Sequence, residues 1–241
     1  MPTTLTPTYD TGATTKASEV VYVPPDRQVT DNQLAERLPD AGLNMPFIAD
    51  ILSAVLAHER CGRHLYRSVA GRTNNPMLKS KYEQFGAETE RHAGILEQLI
   101  VSMGGDPMYV SPAARAVEGS DTKLLESTFL LGGSVDIMTQ EMVMLDAVLL
   151  AESLDHANWT AMTELAGDLP DGAIKEAFVA AVTEVGAEEN DHLMWARDTK
   201  TALIKLQARS RMMAAAGAKA EGLVETIRGW LGSGSGTASS A

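Results

Sequence analysis

One cysteine, Cys61, stands in a chain of 241 residues. An intramolecular disulfide cannot form, and cysteine-based zinc sites and iron–sulfur clusters are excluded within one chain. Basic charge is also scarce: 20 lysines and arginines face 32 aspartates and glutamates, a net charge of -12. A field of that sign argues against nucleic acid or an anionic membrane surface as a partner and suits the collection of cations. Long apolar runs are missing; stretches such as Ala147 to Ala151 are far too short to span a bilayer. The opening residues Met1-Pro2-Thr3-Thr4-Leu5 lack a basic segment followed by an apolar one, so a soluble cytoplasmic protein is expected. Alternating β-branched runs are few.

What is present is helical periodicity. Residues 1–44 are rich in Thr, Pro and Asp and read as an extended N-terminal arm, with one short helix near Asn32 to Leu38. Its apolar patch Val20-Val21-Tyr22-Val23 suits wrapping over a neighbouring chain, so a homo-oligomer such as a dimer is expected. Residues 45–214 carry long helical patterns. The first helix, with Ile48, Ile51, Leu52, Val55 and Leu56 on one face, should stop at Asn74-Asn75-Pro76. The second should run from Pro76 to Met103 and end at the Gly104-Gly105 cap. The segment Met108 to Ser120 reads as a crossover loop. A third helical region is expected over Thr122 to Ala166, bent at Gly132-Gly133, and a fourth over Gly172 to Ala214. Residues 215–231 hold an amphipathic helix, and 232–241 a Gly/Ser/Thr/Ala tail with no core to bury. Hairpin, long connection, hairpin predicts an all-α fold, a four-helix bundle with one crossover.

The two hairpins resemble each other. Gly86-Ala87-Glu88-Thr89-Glu90-Arg91-His92 in the second helix is echoed by Gly186-Ala187-Glu188-Glu189-Asn190-Asp191-His192 in the fourth. Upstream, Glu59 in the first helix matches Glu152 in the third. The candidate metal ligands are therefore Glu59, Glu88, His92, Glu152, Glu188, Glu189 and His192. Counted from the turns at 1.5 Å per residue, Glu59 and Glu88 should be level. Glu152 and Glu188 should be offset by roughly 9 Å, less if the second turn is not helical. Carboxylates and imidazoles converging inside a bundle need a counter-charge, and hard oxygen ligands with imidazole suit iron and manganese. Gly86 and Gly186 predict close helix approach or room beside a site, packing first. His64 and His156 could be ligands or partners of ligands but read first as simple polar positions; Tyr66 and Tyr82 could relay electrons near a metal pair but read first as packing; Cys61 reads as a small buried residue, and the methionines as core filler.

Over residues 46 to 214 this pattern resembles the ferritin-like superfamily of di-iron and di-manganese carboxylate proteins. In that family a lone Glu, a Glu-x-x-His, a second lone Glu and a second Glu-x-x-His line the bundle. Glu59 and Glu152 match the lone glutamates, and Glu189-Asn190-Asp191-His192 matches the second motif. The first motif departs, because Thr89 stands three residues before His92. The repeat favours Glu188 as the ligand in the fourth helix and the family spacing favours Glu189. The resemblance implies two Fe or two Mn ions reacting with dioxygen or peroxide, as a ferroxidase, an oxidase or a manganese-catalase-like enzyme. The departure at Thr89 keeps open a metal-free bundle that serves as a binding or assembly module.

Overall fold

The computed structural model describes residues 44–131 and 135–209, and among them every regular element is a helix. The expected helices at 32–38 and 215–231, the arm before residue 44 and the tail 232–241 lie outside the described residues. Helix α1 spans Met45–Arg72, α2 Pro76–Ser102, α3 Pro112–Ser127, α4 Ile137–Asp168 and α5 Ala173–Arg209. None of these helices is long and apolar enough to cross a membrane.

The turn between α1 and α2 is three residues, Thr73 to Asn75. Asn75 caps α2 by accepting from the backbone N–H groups of Met77 and Leu78, and Pro76 occupies the first helical position, where no donor is lost. At the far end of α2, Gly104 adopts φ 81°. The Gly105 N–H bonds the Ile100 carbonyl and the Gly104 N–H bonds the Val101 carbonyl, the paired bonds of a Schellman cap. The glycine stop expected there is present.

The stretch expected to be a crossover loop is instead helix α3. Ser111-Pro112 is an N-cap followed by proline at the first helical position, a start signal: the Ser111 hydroxyl accepts from the Ala114 N–H. The expected third helix over Thr122 to Ala166 is correspondingly two elements. The last turn of α3 closes on Thr128, whose hydroxyl and carbonyl both accept from the Arg72 guanidinium at the end of α1. Helix α4 then starts afresh at Ile137, capped by Asp136.

Helices α1 and α2 pack as one hairpin, α4 and α5 as another, with α2 against α5, α1 against α4, and α3 lying on α1 and α4. Two apolar clusters form the core. One gathers Leu52, Leu56, Leu96, Trp159, Phe178 and Val185, the other Val69, Tyr82, Phe85, Leu145, Val148 and Leu203. On each long helix the polar positions fall between the two: Glu59 on α1, Thr89 and His92 on α2, Glu152 and Asp155 on α4, Glu189 and His192 on α5. Gly86 is the close approach the sequence suggests, since a Cβ there would lie 3.1 Å from Tyr66 Cβ. Gly186 is not, because nothing lies within 4 Å of an added Cβ.

Replacing the α2 cap, Asn75→Ala, is expected to destabilise the protein by about 1 kcal/mol. Urea unfolding should show a lower midpoint at unchanged slope; an unmoved midpoint would contradict the capping role.

Candidate metal centre

Glu59 lies 13 residues before the end of α1, and Thr89 lies 13 after the start of α2. Glu152 lies 16 before the end of α4, and Glu189 lies 16 after the start of α5. The four positions are level in pairs, because Leu169 to Gly172 do not belong to either helix. The offset expected for the second hairpin is therefore absent for Glu189.

Five buried side chains meet at this level. One ligand atom each from Glu59, His92 and Glu189 lie within 4.8 Å of one another, and so do one each from Glu152, Glu189 and His192. Glu189 belongs to both groups. Its Oε1 is 2.6 Å from His92 Nδ1 and 3.7 Å from His192 Nδ1. Glu59 Oε1 is 3.9 Å from His92 Nδ1, and Glu152 Oε2 is 3.4 Å from His192 Nδ1. Neither oxygen of Glu189 meets a hydrogen-bond donor, and Glu59 Oε2, Glu152 Oε2, His92 Nδ1 and His192 Nδ1 are also buried without a hydrogen bond. Ligand atoms around one six-coordinate divalent ion at about 2.1 Å stand roughly 3 Å apart, so these separations fit two ions of that kind.

Of Glu188 and Glu189, only Glu189 lies within the two groups. Glu88 and Glu188 are partly exposed and lie outside the cluster, where each takes the histidine of the other hairpin. Glu88 Oε2 accepts from His192 Nε2 at 2.8 Å, and Glu188 Oε2 accepts from His92 Nε2 at 2.7 Å. A carboxylate at Nε2 requires a proton there, so in the neutral form of either ring the Nδ1 lone pair faces inward. Glu88 and Glu188, expected as ligands, thus stand outside both groups, each bonded to a histidine of the other hairpin. Arg91 also pairs with Glu188.

The two outer glutamates are held by aromatic donors. Trp159 Nε1 donates to Glu59 Oε1 at 2.8 Å, and the Tyr66 hydroxyl donates to Glu152 Oε1 at 2.6 Å. Tyr66 also lines a surface cavity of about 470 Å³ between α1 and α2, with Arg63, Arg67, Tyr82 and Glu90 around it. Neither reading of Tyr66, packing or electron relay, included its bond to Glu152. Trp159 has the signal of its spacing: seven residues after Glu152, two turns along the same face.

His58 and Asp155 are further buried groups that spacing did not single out. His58 Nδ1 faces Asp121 Oδ2 at 2.7 Å and Nε2 faces the Ala151 carbonyl at 3.1 Å. Both neighbours are acceptors, so the ring is an imidazolium. Burial opposes that charge, but the bond to Asp121 and the charges of Asp155 and Asp121 hold its pKa up to about 9. Asp121 belongs to α3, the helix that the sequence reading missed. By contrast His64 is exposed, and His156 lies partly buried outside both ligand groups. Cys61 is half-buried rather than buried, and burial with nearby Asp121 and Glu118 pushes its thiol up to about 11.

Like charges dominate the centre. Burial first, and Glu152 second, push Glu189 up to about 8. Burial and then Asp155 and Glu189 raise Glu59 well above the carboxylate range. Burial lowers the His92 pKa despite its bond to Glu188. His192 resists burial through Glu152, Glu189 and Glu88 and rises to about 9. Without a cation the cluster takes up protons; a divalent ion would displace them.

No protein-family model, curated protein or solved structure matches the chain.

Glu189, His192 and His58 bind protons more tightly in the folded protein than in the unfolded chain. Their contribution to stability is complete at low pH and is lost as pH rises, over 4.5 to 8 for Glu189 and 6.5 to 9 for the histidines. His92 acts oppositely only below its ordinary 6.5. Thermal unfolding of chelator-treated protein should therefore show Tm falling between pH 6.5 and 9, and saturating Mn(II) should raise Tm most at the alkaline end. A flat profile without metal would contradict the buried protonated cluster.

Proposed function

We propose that this chain is a ferritin-like four-helix metalloprotein whose centre holds two divalent iron or manganese ions and reacts with dioxygen or peroxide. One observation carries the reading: two three-residue ligand groups share Glu189, and their unpaired oxygens and Nδ1 atoms converge in a buried space. Carboxylate oxygen with imidazole nitrogen is a donor set that suits iron and manganese. Glu59 and His92 would hold one ion, Glu152 and His192 the other, and Glu189 would touch both.

A pair of redox-active ions bound there would supply two electrons to dioxygen or peroxide, or take two from peroxide. The chain's own residues do the rest. Trp159 and Tyr66 fix the outer carboxylates so that one oxygen of each faces inward. Glu88 and Glu188 hold the histidine tautomers. The apolar clusters above and below limit the water that reaches the centre. The net charge of -12 favours approach of Fe²⁺, which supports ferrous iron as a substrate as well as a resident ion.

Anaerobic titration with Fe(II) or Mn(II), followed by elemental analysis after desalting, should find about two ions per chain. Glu189→Gln keeps the shape of the shared ligand and should retain at most one. Oxygen uptake by the iron-loaded protein, or oxygen release from hydrogen peroxide by the manganese-loaded protein, should be lost in the same variant. A folded wild-type chain that binds no metal would leave the binding or assembly role in its place.

A further inference from the structure

The cluster has a gap on the α2 side. Thr89 stands level with Glu59, where a carboxylate would complete a second Glu-x-x-His. Its hydroxyl donates to the Phe85 carbonyl at 2.9 Å, and its methyl packs within 3.3 Å of where a Gly62 Cβ would stand. Helix α2 therefore brings one ligand, His92, and α5 brings two.

Asp155 fills the deficit from a different helix. It follows Glu152 by three residues on α4, one turn along the same face. It is 5 % exposed, and its Oδ1 has no hydrogen-bond partner. Burial and the neighbouring charge of Glu189 raise the pKa of its carboxyl, and its own charge raises that of Glu59, so it lies near both while standing outside the two three-residue groups. Along α4 it lies between Glu152 and Trp159, and Trp159 is the residue that holds Glu59. Asp155 thus lies on the Glu59 side of the cluster.

The charge balance points the same way. Glu59, Glu152 and Glu189 carry three negative charges against four positive charges on two divalent ions. Asp155 makes the count equal, with both histidines neutral. His58 does not account for Asp155, because both of its ring nitrogens are already bonded, to Asp121 and to the Ala151 carbonyl.

We propose that Asp155 is the fourth carboxylate ligand, binding the ion held by Glu59, His92 and Glu189 in place of the carboxylate that α2 lacks. This rests on the two-ion reading above.

The other proposed carboxylate ligands are all glutamates, so aspartate labelling isolates Asp155. Chain labelled with 13C at the aspartate side-chain carboxyl is titrated with Mn(II), and infrared difference spectra are compared with those of unlabelled protein. Loss of a protonated aspartic acid band and gain of a metal-bound carboxylate band, both shifted by the label, is the expected result. In parallel, Asp155→Asn should bind about one Mn(II) per chain, with the second site weakened at least tenfold, and show the six-line resonance of an isolated Mn(II). Asp121→Asn, which disturbs His58 from its other side, should keep two. Wild-type protein with two ions but no aspartate signal overturns the assignment of Asp155 and leaves the centre standing. Equal loss in Asp121→Asn and Asp155→Asn also overturns it. Wild-type protein that binds no Mn(II) overturns the two-ion reading itself.

Discussion

Glu189 is shared by both buried groups, with neither carboxylate oxygen meeting a donor. Around it lie Glu59, Glu152 and Asp155, each less than a tenth exposed. Placing an unpaired carboxylate in a low-dielectric interior costs about several kcal/mol after relaxation, and neighbours of the same sign add to it. Two responses are open to such a cluster. It can hold protons, as the raised pKa values of Glu59, Asp155 and Glu189 describe, or it can hold cations. The rest of the architecture serves to keep these groups together despite their repulsion. Two apolar clusters, one on each side of the polar layer, supply the burial that offsets the electrostatic cost.

The exchange of partners across the two hairpins gives the centre its orientation. Each histidine belongs to one hairpin, and the glutamate that fixes its tautomer belongs to the other. Neither hairpin alone could present an inward Nδ1. The same holds for the outer carboxylates: Tyr66 of α1 holds Glu152 of α4, and Trp159 of α4 holds Glu59 of α1. These side chains are thus positioned by contacts between hairpins, and a shift of one hairpin against the other would disturb both groups together.

Helix α3 adds a fifth element to this arrangement. Its start is tied to α1, because Ser111 N–H donates to the Ser53 hydroxyl and the Ser111 hydroxyl donates to the Asp50 carbonyl. Its end is tied to Arg72. Between these anchors Asp121 reaches His58 and stabilises a buried cation beside the carboxylates. A positive charge at that point offsets part of the repulsion among Asp155, Glu59 and Glu189.

The sequence by itself determined the helical class, the turn at Asn75-Pro76, the glycine stop after α2 and the residues from which a metal centre could be built. These are local properties, set by periodicity, by capping chemistry and by the repeat of glycine, alanine, glutamate and histidine. Helix α3 was also legible in Ser111-Pro112, a cap and an N-terminal proline, but the same residues read equally as a loop when proline is weighed only as a breaker. Which glutamates join the buried cluster was a tertiary decision. Glu188 and Glu189 are adjacent on α5, about 100° apart around its axis, so only the packing against α2 and α4 assigns one to the outside of His92 and the other to the centre. The roles of Trp159, Asp155 and His58 depend on residues 100, 34 and 63 positions away in the chain, namely Glu59, Glu189 and Asp121. No local pattern encodes such pairings, because they exist only once the two hairpins and α3 have closed around the carboxylates.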